Sequence, residues 1–223
     1  IFIENLIESI ATDNTFVYLF GKAKVNINYP NKKIRLFIIP TKRIKLFLFV
    51  FFQMFRLIIT SPRDFIKLVM HYLSISKTIS IHFFQWWGKV LPVVNNLPNI
   101  FHIQWAKSLP DWFFLKEIFG VKIILSLRGA HINYSPLADD KLAQSYKYYF
   151  PQIDYFHAVS ESIALEACNY GISKNNIRII YSSVDTKYLQ NFKKTELQTY
   201  SPFQFISVGR YHWKKGYHYA LSA

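Results

Sequence analysis

YFHAVSESIALEACNYGISKNNIRII, residues 155–180, spells out a strand, a helix and a second strand in one pass. The apolar run at 155–159 reads as a strand. Ser160 follows it as an N-cap, with Ile163, Ala164 and Ala167 on one face of the helix that begins there. Gly171 stands where the chain must take the left-handed closing conformation. The β-branched run at 177–180 then starts a further strand. A strand, a helix and a strand this closely joined form the crossover unit of a parallel sheet.

Working outward, the same alternation continues. Runs at 15–20, 35–39, 79–83, 99–103 and 122–127 read as strands, and residues 137–149 and 162–170 as helices. The stretch from Val121 to Leu125 is apolar on both faces, as a strand covered from both sides requires. Ile3, Leu6, Ile7 and Ile10 already follow helical spacing, and no charged leader precedes an apolar run. The chain is therefore expected to begin inside a domain. Downstream, residues 185–202 turn polar, a composition shift typical of a domain boundary, which we set at 195/196. Residues 1–195 form the first domain; a strand at 203–208, a Gly/Lys/Arg turn at 209–216 and a helix from 217 to 223 open a second α/β domain.

With 223 residues, 51% of them hydrophobic and 18% charged, the chain can bury a sizeable core. Its single cysteine, Cys168, excludes an internal disulfide framework and suits a reducing compartment. A net charge of +14 calls for an acidic partner: nucleic acid, an anionic membrane face or a phosphorylated substrate. The basic residues Lys42, Arg43, Lys45, Arg56, Arg63 and Lys67 cluster around the most apolar stretch, 46–59, which favours the membrane face. Gln53 and Arg56 interrupt that stretch and Pro62 follows it, so a spanning helix is not expected. As a helix it would set Lys45, Arg56, Arg63 and Lys67 near one edge, away from Phe47, Val50, Met54, Phe55 and Ile58. A buried helix with solvated cations explains the same pattern. No cysteine or histidine spacing suits a metal, and none is expected. The aromatic clusters at 83–87 and 105–114 are core packing or stacking surface for sugars or bases.

The chemistry-bearing residues fall at the carboxyl ends of expected strands, where doubly wound sheets hold ligands. Gly209 permits a tight turn, while Arg210 and Lys215, with Gly216 beside them, can grip a diphosphate as a fork and a point charge. The N–H groups of the next helix would add to that grip. Residues 128–131, Arg-Gly-Ala-His, follow the central strand, and His102 ends the strand before it.

Ala158-Val159-Ser160-Glu161-Ser162, Gly171-Ile172, the run from Ile177 through Val184-Asp185, Val208-Gly209-Arg210 and Lys215-Gly216 resemble, in order and spacing, family 4 of the glycosyltransferases. The resemblance implies a GT-B fold: a Rossmann-like, doubly wound parallel sheet holding the acceptor, and a second such domain holding the nucleotide sugar. It implies that Arg210 and Lys215 contact the donor diphosphate, whose developing charge they stabilise without a metal or a bound cofactor. It also implies retention of anomeric configuration. By the same likeness, the opening strand and glycine loop of the first domain lie outside the sequence, and the second domain is cut short.

Two positions depart from the family pattern. Tyr181-Ser182-Ser183 stands in place of Pro-Asn-Gly, and Arg128-Gly129-Ala130-His131 in place of His-Gly-x-Asp. The usual acid or base role therefore does not transfer. In its place, His131 titrates near neutrality and suits a base that orients or deprotonates an acceptor hydroxyl. Arg128 suits a phosphate on a lipid-linked acceptor or on the donor. His102, Gly129 and Ser160 complete the acceptor-side candidates, with a satisfied core histidine the plainer reading of His102.

The expected function is transfer of a sugar from a nucleotide-sugar donor to a lipid-linked or polysaccharide acceptor in cell-surface glycan synthesis. The expected place is the cytoplasmic face of a bacterial cell membrane, with the fragment itself inactive. The alternative is a basic module that binds nucleic acid or membrane without catalysis. In the first reading an anionic membrane surface is an expected partner and nucleic acid is not, because the cations flank an apolar segment and do not interleave with a recognition motif.

Overall fold

Parallel strands covered by helices on the crossovers dominate the computed structural model, which describes residues 2–22, 29–75, 81–182 and 205–223. The chain divides into two units, Ile1–Ser183 and Val184–Ala223. The boundary expected at 195/196 lies outside the described residues.

In the first unit α1 (Phe2–Ile10) leads into β1 (Val17–Gly21) and β2 (Ile34–Ile38), which pair in parallel as a two-stranded sheet. Three helices follow: α2 (Arg43–Thr60), α3 (Pro62–Ile75) and α4 (Ile81–Val94). Then come β3 (Ile100–Ile103), the short helices α5 (Leu109–Trp112) and α6 (Phe114–Phe119), and β4 (Lys122–Leu127). After α7 (Ala130–Asn133) and α8 (Asp140–Tyr149), the segment that opened the reading appears as β5 (Tyr155–Ala158), α9 (Glu161–Cys168) and β6 (Ile177–Ile179). Strands β3, β4, β5 and β6 form a second sheet in that spatial order, every pair parallel. The chain thus forms an α/β fold with parallel sheets, as parallel strands joined by helical crossovers must.

The core explains the arrangement. Ile123, Leu125 and Leu127 of β4 are buried together with Phe156 and Ala158 of β5, and Phe150, Leu115 and Ile132 close over them. Such a strand, apolar and covered on both faces, has no water to satisfy its backbone and takes a central position. Asp154 pins the entrance to β5: its carboxylate accepts from Lys116 Nζ at 2.6 Å and from the Ile123 amide at 2.9 Å. Helix α9 starts as expected, with Ser160 Oγ accepting from Ile163 N at 3.3 Å, and Gly171 beyond it has a φ of 84°. Helix α8 begins at residue 140 and not at 137, because Asp139 caps it through the Leu142 amide.

Two expected strands are corrected. The run 79–83 is not a strand where described: from Ile81 the chain is helical to Val94. Trp87, Val90, Leu91 and Val94 recur at helical spacing and are all buried, and that longer period outweighs the short aromatic run that opens it. The strand expected at 203–208 is absent at residues 205–208, which carry no regular structure. No neighbouring strand pairs with them among the described residues, and Phe205, Ile206 and Val208 are 88–96% exposed. The helix after them, α10 (Tyr217–Ser222), does form. Among the described residues no helix is long and apolar enough to cross a membrane.

Candidate functional site

The polar residues of the four-stranded sheet collect at its carboxyl edge. Ser126 of β4 and His157 of β5 are direct partners in the register, and both are buried. His157 Nε2 lies 3.0 Å from the Ile180 carbonyl, which only accepts, so that nitrogen carries the proton. His157 Nδ1 must then accept, and the Ser126 hydroxyl donates to it at 3.0 Å. Ser126 Oγ in turn accepts from His102 Nε2 at 2.9 Å. The Gln104 amide nitrogen lies 3.3 Å from both His102 Nδ1 and His102 Nε2, over the ring, and Gln104 Oε1 accepts from Arg128 Nη2 at 2.8 Å. One carbonyl at the sheet edge therefore sets the polarity of the hydrogen bonds from His157 through Ser126 to His102, and Gln104 links His102 to the Arg128 guanidinium.

With His102 Nε2 donating to Ser126 and the Gln104 amide facing the ring, a second proton on His102 would meet a donor. The surroundings agree: burial, then the neighbouring His157, then Arg128 push His102 down to about 4. Burial also lowers Arg128 below the ordinary guanidinium value.

Arg128 opens the turn that follows β4. Gly129 has φ 31° and ψ −120°, a conformation that a side chain strongly disfavours, and His131 N closes the turn on Arg128 O at 3.2 Å. The turn sets His131 against Trp105, with ring centroids 5.2 Å apart, and Arg128 lies over the same indole at 5.9 Å. Trp105 is 48% exposed, whereas Trp87, Trp112, Phe113 and Phe114 are core. His131 Nδ1 is buried without a hydrogen-bond partner, and burial, then Lys107, lower its pKa. The site is thus a half-open indole between a fixed guanidinium and a neutral imidazole, suited to stacking a ring and binding an anion beside it.

Of the residues singled out from the sequence, Arg128, Gly129, His131 and His102 meet in this site. Both His102 nitrogens are engaged within the chain, so His102 offers none to a ligand. Ser160 serves as the cap of α9. Trp105 belongs to the aromatic cluster read as core packing or stacking surface, whereas Gln104, Ser126 and His157 are not among the site residues expected from the sequence. Their signal was a polar residue inside an otherwise apolar buried strand, and the i, i+2 spacing of His102 with Gln104 and of Ser126 with Arg128.

The second unit carries the other group. There Arg210 and Lys215 are exposed, Lys215 ends a 3₁₀ turn (Trp213–Lys215), and Gly216 has a φ of 67°. A Cβ on Gly209 would come within 2.6 Å of Tyr217 Oη and 3.6 Å of Lys215 Cε, so the lysine stem runs back over the bare glycine. This unit brings Gly209 and Lys215 together.

A shallow depression of about 530 Å³ lies at the opposite, amino edge, around Asn99 and Lys122. Parallel sheets hold ligands at the carboxyl edge, and we do not assign it a function. No group of three or more His, Cys, Asp or Glu among the described residues is arranged to hold a metal. Compared with models of protein families, with curated proteins and with solved structures, the chain matches none.

Proposed function

We propose that the chain is the acceptor-side part of a retaining glycosyltransferase, with the start of its nucleotide-sugar domain. The observation that carries the reading is the turn after the central strand, where Arg128, Trp105 and His131 surround one half-open position. Indole faces are common stacking partners of sugar rings, a guanidinium suits a phosphate of a lipid-linked glycan, and a neutral imidazole can take the proton of an attacking hydroxyl. The order of the motifs from Ala158 to Gly216 adds the nucleotide-sugar donor, with Arg210 and Lys215 on its diphosphate.

The doubly wound sheet belongs to the proposal. In doubly wound folds the order runs outward in both directions from a central reversal. Here β1 and β2 form one parallel sheet and β3 to β6 a separate one in sequential order, and the proposal requires the two to be flanks of a single sheet. The acceptor would be a lipid-linked or polysaccharide glycan at the cytoplasmic face of the membrane.

The test is kinetic. In the complete enzyme, Trp105→Ala is expected to raise the acceptor KM at least tenfold, the scale of ~1.4 kcal/mol lost from a stacking contact, with the donor KM unchanged. An unchanged acceptor KM would remove this site. Retention of the chain on DNA at physiological salt, with none on anionic liposomes, would favour the non-catalytic nucleic-acid module.

A further inference from the structure

Helix α2 is turned inside out relative to the unit it packs on. Its buried face carries Val50, Leu57 and the polar Gln53, whose side chain accepts from Asn95 Nδ2 at 2.7 Å. Its outer face carries Ile44, Leu48, Phe51, Phe52, Phe55 and Ile59, each between 57 and 77% exposed. At about 100° per residue these six fall within one stripe roughly 100° wide. On the next helix Ile66, Met70 and Leu73 repeat the pattern at i, i+4 and i+7, with exposures of 61–66%. Single exposed apolar residues are ordinary, but a continuous stripe of large ones marks a surface that something covers.

The charges around the stripe identify what covers it. Helix α2 contains no acidic residue. Lys45 and Arg56 border the stripe on one side. Arg63 adjoins the stripe on α3, where Asp64 is already paired with Lys67 at 4.0 Å. A second copy of a chain with a net charge of +14 would bring like-charged borders together. An anionic lipid surface offers negative headgroups to the cations and acyl chains to the phenylalanines. The helix cannot cross the bilayer.

We propose that α2, assisted by α3, lies in the plane of an anionic bilayer with its phenylalanine stripe below the headgroups and its lysines and arginines at their level. The surface rests on exposure and charge alone and stands whether or not the chain is a transferase.

Co-sedimentation of the 223-residue chain with vesicles of equal parts phosphatidylglycerol and phosphatidylcholine tests this, against phosphatidylcholine alone. Binding is expected on the anionic vesicles only. Phe51→Ser combined with Phe52→Ser is expected to raise the lipid concentration for half-binding at least tenfold, with thermal unfolding unchanged because both side chains face water. Ile59→Cys in a Cys168→Ala chain, carrying an environment-sensitive fluorophore, supplies a reading without the serine pair: its emission is expected to move to the blue on anionic vesicles. No sedimentation overturns the proposal. So does equal binding by the serine variant, since charge alone would then explain attachment. A blue-shifted label without lipid, in a dimer that the serine pair dissolves, assigns the stripe to a second copy instead.

Discussion

Arg128 is a half-buried cation at the sheet edge whose direction is set from within the sheet. A free guanidinium samples many rotamers, whereas one bonded to Gln104, itself held by His102, Ser126 and His157, is fixed before any ligand arrives. Burial keeps His102 neutral, which gives the arrangement a pH signature. His102 lies at about 4 in the folded chain against an ordinary 6.5, so between these values the unfolded chain binds the extra proton and the folded chain does not. Stability is therefore intact above pH 6.5 and falls as pH drops towards 4, by roughly 3 kcal/mol across the window. Urea denaturation at pH 7 and pH 4.5 measures the drop, and His102→Gln is expected to remove most of it. An equal drop in that variant would mean that other groups set the acid sensitivity. The sequence marked Arg128, His131 and His102 by their places after strands. It could not show that His102 reaches Ser126, because that contact is diagonal: the register sets His102 opposite Ile124, two residues before Ser126.

Among the elements, those whose ends and faces are both encoded locally were legible. Helix α9 has a cap, an apolar face and a closing glycine, and each appears as read. Helix α4 misled because an aromatic opening is ambiguous between periods until the residues that follow settle it, and these settle it through the buried spacing from Trp87 to Val94. The run at 205–208 shows the reverse limit: β propensity describes how a side chain fits a sheet, and without a paired neighbour it forms no strand. Ser160 tests the difference between an element's end and a site. As an N-cap, Ser160→Ala is expected to lower stability by about 1 kcal/mol and Ser160→Gly by only a few tenths. Acceptor kinetics of the proposed transferase should then stay unchanged in both variants. A loss of turnover with full stability would return Ser160 to the acceptor site.

At the scale of the molecule, the two candidate groups differ in what stands behind them. The Arg128 turn is backed by β4, whose residues 123, 125, 126 and 127 are buried. In the second unit no residue of α10 is buried, and Phe205, Ile206 and Val208 are exposed. Cations accelerate departure of a diphosphate only when they are held in position beforehand, because reorganising them during reaction cancels the gain. The turn around Gly209 is held by local contacts, the Lys215 stem and Tyr217 beside the glycine and Lys215 N on His212 O. The 223-residue chain is therefore expected to release no nucleoside diphosphate from nucleotide sugars above background. If the two cations act on a donor diphosphate as proposed, Arg210→Ala and Lys215→Ala in the active transferase should each lower kcat/KM for the donor by about 1–3 kcal/mol, the range of a charge-assisted hydrogen bond. A coupled assay of diphosphate release measures both. Turnover by the chain alone would show that the donor is gripped elsewhere, and full activity in both variants would leave these two cations with no part in the reaction.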